Sequence, residues 1–157
     1  MFVLLKSRLK KYNNSKRKIN PQKERRLAMK SEIMKVYNAY TEALLKGDFK
    51  SVFETMSDNI VWHMGGESSL SGVIVGKQAL GERLGEFSKR SNGTFRVITN
   101  WAASNDCFVA ASVVSLAERG EEKLNDPGID LFRIENGKIQ EVWTFAEKQE
   151  EEDKFWE

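Results

Sequence analysis

Apolar residues recur with a helical period early in the chain and with a strand period late in it. Ile33, Val36, Tyr37, Tyr40 and Leu44 fall at i, i+3, i+4, i+7 and i+11, one stripe of a helix that Ser31 can cap. Gly47 ends this helix, and Asp48 can cap a second, short one carrying Phe49, Val52, Phe53 and Met56. IVWHM, residues 60–64, reads as a short strand after an Asp58-Asn59 turn, and GGESSLSG, residues 65–72, as a loop. A third helix is predicted over residues 77–89, with Leu80, Leu84 and Phe87 on its apolar side. From Thr94 the period becomes two: Phe95, Val97, Thr99 and Trp101 share one side of a strand reaching Ala103. Residues 107–118 form a long strand, and RGEEKLNDPG, residues 119–128, a polar connection. Residues 130–135 and 138–146 flank Asn136-Gly137, a pair suited to a type I′ turn because both central positions of that turn need positive φ. Strand parity puts Asp130 on the same face as Phe132 and Ile134, so a carboxylate stands where the pattern predicts core, while Arg133 points the other way.

Three helices first and antiparallel strands afterwards predict an α+β fold, since a wound parallel sheet would alternate the two. A long antiparallel sheet with helices on one face has to curl around them. That curl leaves an apolar cavity, a common place for a small-molecule site. A solvated strand end, or a partner for Arg133, Arg96 or Arg119, is the plain reading of Asp130; a pocket carboxyl with its pKa raised by burial is the functional one. Tyr40 reads equally as a core tyrosine and as a pocket donor. His63, the only histidine, is a candidate general base, although alternation puts it opposite Trp62 and Met64. Only a bulge or twist would bring it into the same cavity.

Composition narrows the classes. The single cysteine, Cys107, rules out an internal disulfide and fits a reducing, cytoplasmic location. With one Cys and one His, zinc sites of the usual kinds are excluded. No apolar run approaches the roughly 20 residues that span a bilayer. Charge divides unevenly: residues 1–28 carry ten Lys/Arg and one acid, a net +9, leaving −7 for residues 29–157. The basic tail, residues 1–28, has an apolar start that precedes its charges, the reverse of a secretory signal. A disordered, solvated extension, an arm for nucleic acid and an organelle transit segment remain open for it; Met29 or Met34 would each begin the compact domain. Nucleic acid has no other pointer in the chain. The domain is assigned to residues 29–157. Its acidic end, residues 147–153, reads as a solvated face, followed by Phe155-Trp156 folding back near the mouth of the cavity.

The order helix–helix–strand–helix–strands, together with AYTEALLKGDFKSVFETMSDNIVWHMGG, LSGVIVGKQAL, DLFRIENGKIQEVWTF and EDKFW in that sequence, resembles the nuclear transport factor 2-like superfamily. Within it the chain is similar to the SnoaL-like (polyketide cyclase) and ketosteroid isomerase group. The resemblance implies a cone, with three N-terminal helices packed in a strongly curved antiparallel sheet, and a homodimer paired through the sheet. It also implies an oxyanion hole from a first-helix tyrosine, here Tyr40, and a protonated aspartic acid, here Asp130. The family's catalytic base position on the early strand is Met64, which cannot take a proton. A Trp-His-x-x-Gly segment, here Trp62 to Gly66, makes His63 a pocket residue in SnoaL-like proteins. The expected pocket lining is Tyr37, Phe53, Trp62, Met64, Trp101, Phe132 and Trp143, with Asp130, Tyr40 and His63 as catalytic candidates. The expected function is binding of a small hydrophobic, carbonyl-bearing molecule, with isomerisation or cyclisation as the reaction and neither metal nor organic cofactor implied. A non-catalytic module binding a ligand or a protein partner is the alternative.

Overall fold

A computed structural model describes residues 20–157. Helix α1 runs Pro21–Leu45 and α2 Phe49–Glu54. Strands β1 (Met56–Met64) and β2 (Gly72–Val75) follow, then α3 (Lys77–Arg90). Strands β3 (Arg96–Ser104), β4 (Phe108–Arg119), β5 (Glu122–Glu135) and β6 (Lys138–Ala146) complete one sheet, and α4 (Gln149–Trp156) ends the chain. The six strands lie in the order β2-β1-β6-β5-β4-β3, all antiparallel except β1 with β6. Among the described residues no helix is long and apolar enough to cross a membrane.

The helical stripe is the buried face of α1: Ile33, Tyr37, Tyr40 and Ala43 pack on the concave side of the sheet. Ser31 does not cap it. Asn20 does, its side chain accepting from the Gln22 N–H at 2.9 Å, with Pro21 in the first turn where a missing N–H is harmless. Residues 21–28 therefore belong to α1 and not to the tail expected from the sequence; residues 1–19 of that tail lie outside the described residues. Asp48 caps α2 as expected, accepting from the Ser51 N–H at 3.1 Å. Asn136 and Gly137 take φ of 53° and 71°, the left-handed pair of the predicted hairpin turn.

Two departures matter for the site. Residues 122–128 are strand, not connection: only Gly120-Glu121 turns between β4 and β5, and Leu124, Asp126, Gly128, Asp130, Phe132 and Ile134 alternate along the concave face. Gly128 is required there, because a Cβ would stand 2.5 Å from the Phe145 carbonyl oxygen. In β3 the register against β4 shifts between Thr99 and Trp101. That bulge turns Trp101 to the convex face, where it is 55% exposed, and corrects its expected place beside Val97 and Thr99.

Helix α4 closes a second core. Trp156 is 1% exposed and stands edge-on to Phe87, Phe95 and Phe155 at centroid distances of 4.7, 5.3 and 4.8 Å. The loop at residues 65–71 is tied to this helix. The Glu67 N–H donates to Asp153 at 2.9 Å and the Ser69 N–H to Glu157 at 2.8 Å. Gly66, at φ +90°, leaves room for the Asp153 carboxylate that any Cβ would overlap. Arg90 donates to the Trp156 carbonyl and Arg83 to those of Leu70 and Ser71, so α3 clamps both loop and helix.

Candidate functional site

Curling the sheet around α1, α2 and α3 leaves a cavity of about 240 Å³. Its wall is mostly apolar, with Leu44, Val52, Met56, Leu84 and Val113 among the lining residues. Tyr40 reaches it from α1, Trp62 and Met64 from β1, Asp130 from β5, and Glu152 with Trp156 from α4.

Asp130 is 8% exposed. Its parity is the predicted one, and Phe132 beside it is the aromatic hub of the core, with the Tyr37 ring at 5.1 Å and the Tyr40 ring at 5.4 Å. Burial, with the nearby Glu152 charge adding, pushes the Asp130 carboxyl up to about 7. Burial also drives the Tyr40 phenol far up, with Asp130 and then Tyr37 adding, so Tyr40 remains a proton donor. No protein hydrogen bond contributes to either group, so both have capacity for a partner in the cavity.

Two acids were not singled out by sequence reasoning. Asp126 is 3% exposed and lines the cavity four residues before Asp130; its Oδ1 accepts from the Lys148 N–H at 3.0 Å, while Oδ2 has no partner. Burial raises its pKa. Glu152 lines the cavity half-buried, and its carboxyl is pushed up to about 7 by burial first and by Asp126 next. The Trp156 indole N–H lies toward Glu152 without completing a hydrogen bond. Strand parity would have exposed Asp126 had residues 122–128 been read as strand. Glu152 sits at i to Phe155 at i+3 and Trp156 at i+4, a helical stripe inside the acidic run.

The structure does not bring the remaining candidates to the cavity. His63 lies on the convex face, because β1 alternates without interruption through Trp62, His63 and Met64 as it pairs with β2. There its Nε2 meets Glu141 at 2.8 Å and its ring stacks on Trp143 at 5.1 Å. Glu141 also accepts from Arg133 at 3.2 Å, and these contacts, His63 foremost, hold its carboxyl below the usual range. Trp143 and Trp101 are thus convex-face residues. Tyr37 and Phe132 are core beneath Tyr40, the Tyr37 hydroxyl sharing a 3.1 Å hydrogen bond with Thr99. Phe53 packs between α2 and α3, near Gly81. Among the described residues no three His, Cys, Asp or Glu side chains are grouped to hold a metal ion.

Helices lying in the concave face of a strongly curved sheet, with a cavity between them, define the cone of the nuclear transport factor 2-like class. The family model of the SnoaL-like domain matches residues 37–142, and the chain belongs to that family. A protein of unknown function with a cystatin-like fold from Xanthomonas campestris is 31% identical, with a TM-score of 0.75 over 79% of this chain and 97% of its own. Bal32a, from a soil-derived mobile gene cassette, is 23% identical, with a TM-score of 0.78 over 82% of this chain and 99% of its own. TerC, co-crystallised with polyporic acid, shares the fold at 12% identity, with a TM-score of 0.67 over 74% of this chain and 92% of its own. No curated protein matches the sequence.

Proposed function

We propose that the protein binds a small, largely apolar molecule through an oxygen atom, in a carbonyl-bearing substrate of an isomerase or cyclase-type reaction. One observation carries this reading: Tyr40 and Asp130, from a helix and a strand far apart in sequence, reach one apolar cavity as buried donors with no protein partner. Donors fixed in a dry site stabilise charge developing on a carbonyl oxygen far better than the same groups in water. A protonated carboxyl can do this near neutral pH only where burial has raised its pKa, as it has for Asp130. A neighbour of the same fold was co-crystallised with polyporic acid, which supports a small-molecule occupant here. A homodimer through the convex face belongs to the same proposal, supported by the exposure of Trp101 and Phe145, 55% and 56%, on that side of the sheet.

Titration with 2-tetralone, a bicyclic ketone, followed by the tryptophan fluorescence to which cavity-lining Trp62 and Trp156 contribute, tests the reading. Tyr40→Phe removes one donor and is expected to weaken binding about tenfold, the worth of one hydrogen bond. His63→Ala, on the far face, is expected to leave the Kd unchanged. A ketone that binds equally well to Tyr40→Phe contradicts the proposal. A second reading is a binding module without catalysis, which would bind the ketone in this titration but leave it chemically unchanged. The placement of Met64 in the cavity, where the family's base would stand, favours that reading.

A further inference from the structure

Four carboxyl groups line the cavity: Asp126, Asp130, Glu152 and Asp153. Two of them are committed to architecture. Asp126 Oδ1 receives the Lys148 N–H where α4 begins, and Asp153 receives the N–H groups of Glu67 and Ser68 at 2.9 and 3.4 Å. Asp130 has no protein hydrogen bond, and Glu152 has only a long one from the Gln149 amide, at 3.4 Å. The uncommitted acids therefore come from opposite walls, one deep on the sheet and one on the closing helix.

We infer that Glu152 is the proton acceptor of the site, supplied by the C-terminal helix in place of the strand residue that is Met64 here, with Asp130 as its protonated counterpart. The inference rests on the carbonyl-binding reading above. Ionised Glu152 disfavours ionisation of Asp130, and two acids that interact across a dry cavity do not both give up a proton cheaply, so one proton is held as the other leaves. The deeper group keeps it. Asp130 is buried at the floor beside the Tyr40 phenol, whereas Glu152 is half-buried and can shed its proton to solvent. Both carboxyls are poised near 7, suitable for proton transfer at neutral pH. In the step itself Glu152 takes a proton from the carbon next to the substrate carbonyl. The C–H electron pair forms the enol double bond, and the carbonyl π pair moves onto the oxygen held by Tyr40 and Asp130. Return of that proton to a carbon conjugated with the carbonyl gives isomerisation, whereas exchange of the proton on Glu152 with solvent, followed by return of a solvent hydrogen to the original carbon, gives hydrogen exchange; neither consumes another reactant. The groups facing the pair are Asp126 on β5, Tyr37 and Tyr40 on α1 and Asp153 on α4.

Exchange of the α-hydrogens of 2-tetralone for deuterium, followed by NMR in D2O with the full chain, tests the assignment. Wild-type protein is expected to accelerate exchange, with a rate that rises with pH as the pair loses its first proton and falls as it loses the second. Glu152→Gln should lower it by about 10²–10⁴-fold and flatten the profile while the Kd for the ketone is kept. Glu152→Asp, which retains a carboxylate one methylene further back, should fall between the two. Exchange unchanged in Glu152→Gln with the ketone bound overturns the role of Glu152 and leaves carbonyl binding standing, as does a wild-type protein that binds the ketone without exchanging it. A wild-type protein that does not bind the ketone overturns both.

Discussion

Asparagine at position 130 will make the protein more stable than the wild type at pH 8, by about 2–4 kcal/mol, and equally stable near pH 4. The folded-state pKa of Asp130, about 7, lies above the ordinary aspartate value of 3.8. Between those values the native protein holds a proton that the unfolded chain has released, so stability falls as pH rises through this window. Below about pH 4 both states are protonated and nothing is lost; above about pH 7 the full penalty is present and constant. A shift of roughly three pKa units corresponds to about 4 kcal/mol, and the upper end of the range assumes that Asp130 carries all of it. Glu152 shares the titration, so some of the pH dependence will survive the substitution. Urea unfolding at both pH values measures the difference. Equal effects at pH 4 and pH 8 would mean that folding does not raise the Asp130 pKa, and destabilisation at pH 8 alone that the fold stabilises the carboxylate; either contradicts a neutral donor. A group this costly to ionise is the kind retained for function at the expense of stability.

Trp156→Ala will destabilise the protein by about 3–5 kcal/mol, the usual loss for a fully buried large aromatic. For a chain of this length that is roughly a 10 °C fall in Tm. The indole is the contact between α4, α3 and the segment leading into β3, touching Phe87 and Phe95 as well as its neighbour Phe155. Its loss removes the packing that holds Glu152 against the cavity. The Asp153 bonds to residues 67 and 68 cannot hold the helix alone, because such half-exposed contacts contribute about 1 kcal/mol each. Thermal melts will report the stability. Hydrogen exchange should show early opening of residues 149–156 together with the loop at 65–71. A loss below about 1 kcal/mol would show that α4 is not part of the cooperative fold.

Much of the cone could be read from the chain because its strongest signals are local. The stripe through Tyr37 and Tyr40, the Asp48 cap and the Asn136-Gly137 turn each depend on a few adjacent residues, and parity alone put Asp130 on the concave face. What escaped reading depends on contacts between distant segments. Residues 122–128 are polar and contain Pro127-Gly128, so they look like a connection. They become strand because β4 pairs with them along their whole length, with β6 joining from Gly128, and this carries Asp126 into the cavity. The bulge that turns Trp101 outward leaves no mark in the alternation before it. Glu152 sits in an acidic run whose composition says solvent, while its spacing to Phe155 and Trp156 says core. For His63, simple alternation was the sounder guide: it placed the ring opposite Trp62 and Met64, where the structure has it, stacked on Trp143.

The most direct test of the central claim, that Tyr40 and Asp130 grip a ligand oxygen inside the cone, is the 13C chemical shift of 2-tetralone labelled at its carbonyl carbon and bound to the protein. Two donors on the oxygen polarise the carbonyl and move the resonance downfield of its position in an apolar solvent, and Tyr40→Phe combined with Asp130→Leu should return it upfield. A bound ketone whose resonance matches that in the apolar solvent, or one unmoved by the double substitution, would contradict the account.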